Sequence, residues 1–260
     1  LSTYKTIISL HKSIKKGYRS LTPLAISALQ SACQICHLPH SASSGICLNC
    51  MDELPWQPPG CRICQDQISE FSNGLCLRCR QSPPDFSLCR AALSYQDSIP
   101  GLIHKAKDNG NFPALYSLAK ILSDTFCAHY SHHTHYPEVL LPVPLHVRRL
   151  GLRGFNQSLE LCKILSKQLG TPILSDSIIR RASLAPQKAL NRRQRLKNEG
   201  MMFSLNGSSR LTCFKHIAII DDVVTTGSTA RELASILRRQ AKVPFIDVWA
   251  IARSNSPDSQ

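Results

Sequence analysis

The rhythm of apolar and polar positions changes at Pro83-Pro84. Beyond it, short apolar runs alternate with longer runs of helical spacing. Ala91–Tyr95 and Val139–Val143 predict strands, the second closed by Pro142 and Pro144. Gly101–Asn109 and Ala114–His129 predict helices. Gly154–Leu169 predicts an amphipathic helix with Leu159, Cys162, Leu165 and Leu169 on one face. Ile217–Ile220 predicts a buried strand that stops at two carboxylates. Thr229–Arg239 predicts a helix and Phe245–Ile251 a last strand. This alternation predicts an α/β fold, a mainly parallel sheet with helices on both faces. Ligands of such sheets gather at the carboxyl ends of the strands.

The segment from 33 to 79 is short and poor in large apolar residues, with Leu38, Leu48, Leu54, Trp56, Leu75 and Leu77 among them. The expected organisation is an N-terminal extension (1–32), a small cysteine-rich domain (33–84), an α/β domain (85–254) and a tail (255–260). In the extension, Tyr4, Ile7, Ile8, Leu10, Ile14 and Tyr18 fall near helical spacing among Lys5, Lys12, Lys15, Lys16 and Arg19. Two readings fit: a frayed extension packing loosely on the body, and a basic amphipathic helix that touches a membrane or partner.

Eight cysteines form four Cys-x-x-Cys pairs: Cys33/Cys36, Cys47/Cys50, Cys61/Cys64 and Cys76/Cys79. Two thiolates at i, i+3 in a tight knuckle reach one metal, and a second knuckle completes the tetrahedral thiolate site that Zn²⁺ favours. Two structural zinc sites are therefore expected, with the pairing, sequential or interleaved, left open. A disulfide framework would need an oxidising compartment. The given residues show no secretory signal, so a cytoplasmic location is expected. The metals would supply much of the folding free energy of so small a segment. His37 and His40 beside the first knuckle are expected to be bystanders. The cluster His129, His132, His133 and His135 reads as a solvated loop.

Overall composition, 43% hydrophobic and 18% charged, is that of a globular chain. No apolar run approaches the roughly 18 residues of a membrane span, so no integral membrane segment is expected. The formal charge of +14 suggests an anionic partner. It is concentrated: residues 142–200 hold twelve basic and three acidic residues, a balance of +9.

Chemistry gathers in Ile217-Ala218-Ile219-Ile220-Asp221-Asp222-Val223-Val224-Thr225-Thr226-Gly227-Ser228-Thr229. A buried strand delivers two carboxylates, small residues follow, and a helix begins. Backbone N–H groups of such a loop, with hydroxyls and the helix N-terminus, make a phosphate cradle. Carboxylates beside it suit sugar hydroxyls, which donate hydrogen bonds to them.

This string closely resembles the phosphoribosyl-pyrophosphate (PRPP) motif of type I phosphoribosyltransferases. With the four upstream knuckles it resembles the ComF/GntX family. The strings Leu140-Leu141-Pro142-Val143-Pro144-Leu145, Arg148-Arg149 and Arg153-Gly154-Phe155-Asn156-Gln157-Ser158 agree, as do Lys107 and the series Gln187, Leu190, Arg195 and Asn198. Leu184 and Ala106 depart from the family pattern, which usually has Thr and Leu there. The resemblance covers about residues 33–252. It implies a phosphoribosyltransferase-type fold behind a double zinc ribbon. It also implies that Asp221 and Asp222 hold the ribose hydroxyls and Thr225, Thr226, Gly227, Ser228 and Thr229 the 5′-phosphate. Val143 and Pro144 would lie under the pyrophosphate. Lys107, Arg148, Arg149, Arg153, Gln187 and Arg195 are the further PRPP-binding candidates, Arg195 in a basic flap over residues 187–198. Mg²⁺ would accompany PRPP, and a nucleobase is the typical acceptor. Family members are associated with natural competence, which makes single-stranded DNA and other competence proteins candidate partners. A second class of function keeps PRPP as regulator of a nucleic-acid-binding or scaffold protein. The 6% aromatic share weighs against a base-stacking binder.

Overall fold

The structure is a computed structural model that describes residues 32–68, 73–107, 111–131, 136–181, 202–206 and 210–254. Two short helices, α1 (Leu48–Asp52) and α2 (Leu77–Gln81), lie in the cysteine-rich segment. Then follow β1 (Leu88–Ser94), α3 (Ile99–Lys107), α4 (Phe112–Tyr130), β2 (Val139–Pro142), α5 (Val147–Arg153) and α6 (Gln157–Leu169). A small hairpin, β3 (Ile178–Arg180) and β4 (Phe203–Leu205), precedes β5 (His216–Val224), α7 (Ser228–Arg239) and β6 (Phe245–Arg253).

The main sheet has the order β1-β6-β5-β2 and every pairing in it is parallel. All four strands therefore end on the same side. Near-continuous burial along β2, β5 and β6 fits a sheet covered on both faces. Alternate strand residues divide between two cores. Leu140, Ala218, Ile220, Trp249 and Ile251 pack with α3, α4 and α6. Val139, Leu141, Ile217, Ile219 and Val248 pack with α7.

The cysteine-rich segment joins both cores: Cys33, Ile46 and Leu54 the first, Cys61, Cys64, Cys76 and Cys79 the second. It also covers the edge of β1. Cys89 N–H donates to the Ile63 carbonyl, Ala91 N–H to the Gln65 side chain, and Ser94 N–H to the Pro55 carbonyl. An open edge strand is thus closed by the knuckle beside it. At the other edge, Leu140 N–H donates to the Pro172 carbonyl and its own carbonyl accepts from Leu174 N–H.

Several elements differ from expectation. The helix expected over Gly154–Leu169 begins at Gln157, because Gly154 ends the preceding α5 in the left-handed conformation at φ 78° and Asn156 caps α6. The buried face of α6 is Ser158, Leu161, Cys162 and Leu165, so Leu159 is off it. β5 continues four residues past Ile220, through both acids to Val224. His129 belongs to α4, its ring 5.3 Å from that of Trp249, and is no solvated loop residue. His132, His133, His135 and the 1–31 extension lie outside the described residues.

Candidate functional site

The eight paired cysteines form two quartets in sequential order: Cys33, Cys36, Cys47 and Cys50, then Cys61, Cys64, Cys76 and Cys79. Within each, the Sγ atoms all lie within 4.8 Å of one another. Cys36 and Cys47 Sγ are 3.7 Å apart and Cys64 and Cys76 Sγ 3.6 Å. Tetrahedral zinc, with Zn–S near 2.3 Å, sets S···S at about 3.8 Å. A disulfide would need about 2.05 Å. Knuckle N–H groups point at the sulfurs: Ile35 and Cys47 N–H lie 3.5 Å from Cys33 Sγ, and Cys79 N–H 3.4 Å from Cys76 Sγ.

These bonds have a titration signature. Burial raises the Cys33 thiol, but N–H groups of Cys47, Cys36 and Ile35 outweigh it and bring the group down to about 6. Cys61 is likewise lowered to about 7 against burial, by the N–H groups of Cys64, Cys76 and Ile63. Burial then pushes Cys79 up to about 12, aided by the charge of Cys61, and drives Cys50 and Cys64 upward too. Crowded thiolates resist joint ionisation until a cation joins them, and this donor set fits zinc. His37 and His40 belong to neither quartet. His37 Nε2 lies 3.4 Å from Lys105 Nζ, and His40 Nδ1 accepts from Ala42 N–H.

At the carboxyl end of the sheet, β5 carries Asp221 and Asp222 out of the core. The half-buried Asp221 carboxylate accepts from its neighbour's N–H at 2.9 Å and from Ser158 Oγ at 3.3 Å. Burial, and then the charge of Asp222, raise it to about 8. Asp222 turns to Lys107, at the end of α3, with Oδ2 and Nζ 2.8 Å apart. The chain then turns through Thr225 and Thr226, which are exposed, to Gly227. With φ 72° and ψ 12°, Gly227 is the N-cap of α7. Thr226 Oγ1 accepts from Ser228 N–H at 3.4 Å and donates to Ser228 Oγ at 3.2 Å.

The loop after β2 closes against the same end. Val143 N–H donates to the Ile220 carbonyl at 3.0 Å, and Asn156 Nδ2 donates to the Val143 carbonyl at 3.0 Å. Val143 is buried and Pro144 half-buried. Arg148 and Arg149 stand exposed on α5, with Arg153 half-buried at its end. Gln187, Arg195 and the rest of the expected flap, with Leu184, lie outside the described residues. Strands β3 and β4 pair antiparallel, and Arg181 N–H donates to the Met202 carbonyl.

Sequence reasoning does not reach the contacts of five residues. Ser158 and Asn156 belong to the Arg153–Ser158 string, but the Asp221 and Val143 contacts that give them roles come from the fold. Gln157 between them is buried, with its amide unpaired among the described residues. Arg78 and Arg231 join the second cysteine segment to the loop Thr225–Thr229: Arg78 Nη1 donates to the Thr226 carbonyl at 2.6 Å, and Arg231 Nη1 to the Ser82 carbonyl at 2.7 Å. No helix among the described residues is long and apolar enough to cross a membrane.

No protein-family model matches the chain. It is 30% identical over 216 residues to competence protein F of Haemophilus influenzae, covering 83% of this chain and 93% of that protein. It is 32% identical over 224 residues to the DNA utilization protein YhgH of Salmonella typhimurium, covering 85% and 96%. With competence protein ComFC of Bacillus subtilis it shares 23% over 213 residues, 75% and 84% of the two chains. Among solved structures, it is similar to a glutamine PRPP amidotransferase from B. subtilis, with TM-score 0.34 and 17% identity over 52% of this chain and 26% of that one. It is also similar to an adenine phosphoribosyl transferase from Trypanosoma brucei, with TM-score 0.30 and 13% identity over 54% and 68%.

Proposed function

Because the chain belongs to the competence protein F family, we propose that it binds PRPP and carries phosphoribosyltransferase-type chemistry in the handling of imported DNA. One observation carries the reading: two adjacent carboxylates end a buried strand and pass directly into a small-residue loop capped by a left-handed glycine. In this reading Asp221 and Asp222 accept the ribose 2′- and 3′-hydroxyls. Thr225–Thr229 take the 5′-phosphate through backbone N–H groups and the N-terminus of α7. Val143, Pro144 and Lys107 receive the pyrophosphate, with Arg148, Arg149, Arg153, Gln187 and Arg195 as further cationic or polar contacts.

In the reaction, the bond from the anomeric carbon to pyrophosphate breaks and pyrophosphate leaves with the electron pair. An acceptor nitrogen, typically of a nucleobase, bonds to that carbon and afterwards loses its proton. Carboxylates beside the ribose stabilise positive charge developing on the ring, while lysine and arginines stabilise the leaving group. Mg²⁺ bound with PRPP would offset pyrophosphate charge, and the hard oxygens of Asp221 and Asp222 suit such an ion. Zinc in the two quartets is structural, since four thiolates leave no open position. Thiols grouped for metal suit a reducing compartment, so the location proposed is the cytoplasm.

A second reading is favoured by exposed Arg148 and Arg149 in the most basic part of the chain. It makes the protein a binder of single-stranded DNA, or a scaffold for other competence proteins, with PRPP as its regulator. Calorimetry with PRPP and Mg²⁺ tests the first. Binding by the wild type that is lost in Asp222→Asn supports it. DNA binding with a steep salt dependence, indifferent to PRPP, favours the second reading without regulation.

A further inference from the structure

Two arginines cross between the second cysteine quartet and the phosphate-type loop, in opposite directions. Arg78 lies on α2 beside Cys79, and its guanidinium donates to the Thr226 carbonyl at 2.6 Å. Arg231 lies in the first turn of α7. Its backbone N–H donates to the Gly227 carbonyl at 2.9 Å. Its guanidinium donates to the Ser82 carbonyl at 2.7 Å and reaches Cys79 Sγ at 3.6 Å. That backbone bond is the ordinary i→i−4 bond any residue makes there, so what is particular to Arg231 is its guanidinium, which ties the first turn of α7 to Ser82 and Cys79. A third arginine, Arg253 at the end of β6, pairs with Asp66 at 3.3 Å, both side chains more than nine-tenths buried. These three arginines, Cys64, Thr226 and Gly227 line one small crevice between the quartet and the loop.

Four thiolates around a divalent ion leave a net negative charge, which a planar guanidinium can face while its other N–H groups serve carbonyls. The first quartet has another setting: it packs with the core under α3, α4 and α6. Its glycine, Gly45, approaches Ser117 of α4 so closely that an added Cβ would lie 2.3 Å from the Ser117 hydroxyl. Among the described residues, it is the second quartet that is built against the loop.

We infer that Arg78 and Arg231 are positioning residues, a strap by which the metallated second quartet holds the backbone of residues 225–229 in the shape that receives a phosphate. Phosphate affinity then depends on metal at the second quartet and not at the first. The inference deepens the PRPP reading and rests on it for the ligand, but the strap itself acts on the loop with or without PRPP.

The test uses the full chain and the variants Arg78→Met, Arg231→Met, Arg231→Lys, Cys76→Ser and Cys36→Ser. Both methionine variants are expected to keep their zinc and their circular dichroism. They should show faster amide exchange at residues 225–229 and a PRPP affinity lower by about tenfold, the scale of one charge-assisted hydrogen bond. Arg231→Lys, which keeps the charge without the planar fork, should fall between. Cys76→Ser should loosen the same amides, and Cys36→Ser should leave them as in the wild type. Unchanged exchange at 225–229 in both methionine variants overturns the strap. So does equal loosening by Cys36→Ser and Cys76→Ser. A wild type that binds no PRPP defeats the preceding reading instead, and the exchange data still decide the strap.

Discussion

Lys107 Nζ stands 2.8 Å from Asp222 Oδ2, each side chain at least three-quarters buried. The pair ties the end of α3 to the end of β5, where the proposed site needs one partner for ribose and the other for pyrophosphate. A partly exposed pair adds little to stability, about 1 kcal/mol or less. A charge-assisted contact to pyrophosphate is worth about 1.5–3 kcal/mol. Lys107→Met should therefore melt close to the wild type yet bind PRPP about ten- to a hundredfold more weakly. Calorimetry beside a thermal melt separates the two effects. A large loss of stability with normal affinity would make Lys107 a purely structural residue.

Asp221 gives the site a pH dependence. Burial, followed by the Asp222 charge, raises it to about 8, so near neutrality it is mostly protonated. Its folded value lies above the unfolded one, near 4. Its contribution to stability is therefore complete below about pH 4 and is lost as pH rises toward 8. Ribose hydroxyls, as donors, favour the ionised carboxylate, so PRPP affinity should climb as pH passes upward through 8. In Asp221→Asn that climb should vanish, which separates it from titration of the ligand's own phosphates. The variant should also gain melting temperature relative to wild type, increasingly from pH 4 to 8 and level beyond. Wild-type affinity that falls over the same range contradicts the assignment.

Metal content tests the quartets directly. Zinc in a structural thiolate site contributes about 10–16 kcal/mol to folding in small peptides, as much as the whole stability of an ordinary domain. The cysteine-rich segment has few large apolar residues and adds only a minority of the two cores, whose remaining residues come from Phe86 onward. The purified protein should hold two zinc ions, one per quartet. Chelation should open residues 33–82 to proteolysis well before the stretch from β1 to β6. Far less zinc, together with disulfides found by mass spectrometry, would replace this account.

Burial and local spacing made the strands, the cysteine pairs and the acid-to-loop segment readable in the sequence. What escaped lacks local periodicity. Helix α5 leaves Val147 and Leu152 exposed and buries no residue fully, so it has no apolar stripe to detect. Strands β3 and β4 have three residues each, too few for alternation. The face of α6 was misread because Ser158, a polar residue, occupies it to reach Asp221. Arg78 and Arg231 find partners 148 and 149 residues away, and an arginine on a short or amphipathic helix otherwise reads as surface charge.

Gly227 separates backbone strain from ligand contact. A Cβ built there would meet only Val224 Cγ1, at 3.9 Å, so the free protein has room for a side chain. Its φ of 72° is the obstacle. A left-handed backbone costs an ordinary L-residue about 1–2 kcal/mol, and asparagine less. Gly227→Val should therefore destabilise the free protein more than Gly227→Asn. Both side chains would stand where the phosphate approaches, so both should lose PRPP. Ser228→Ala removes only the hydroxyl that accepts from Thr226, about 0.5–1.5 kcal/mol or threefold to tenfold in affinity. Asp222→Asn removes a carboxylate that no backbone group replaces. The expected order of damage to binding is thus Gly227→Val and Asp222→Asn severe, Ser228→Ala mild. Calorimetry on the folded variants decides it. Should Gly227→Asn bind as the wild type does, the glycine serves conformation alone. Should Ser228→Ala abolish binding while Asp222→Asn retains it, the acids do not hold the ribose.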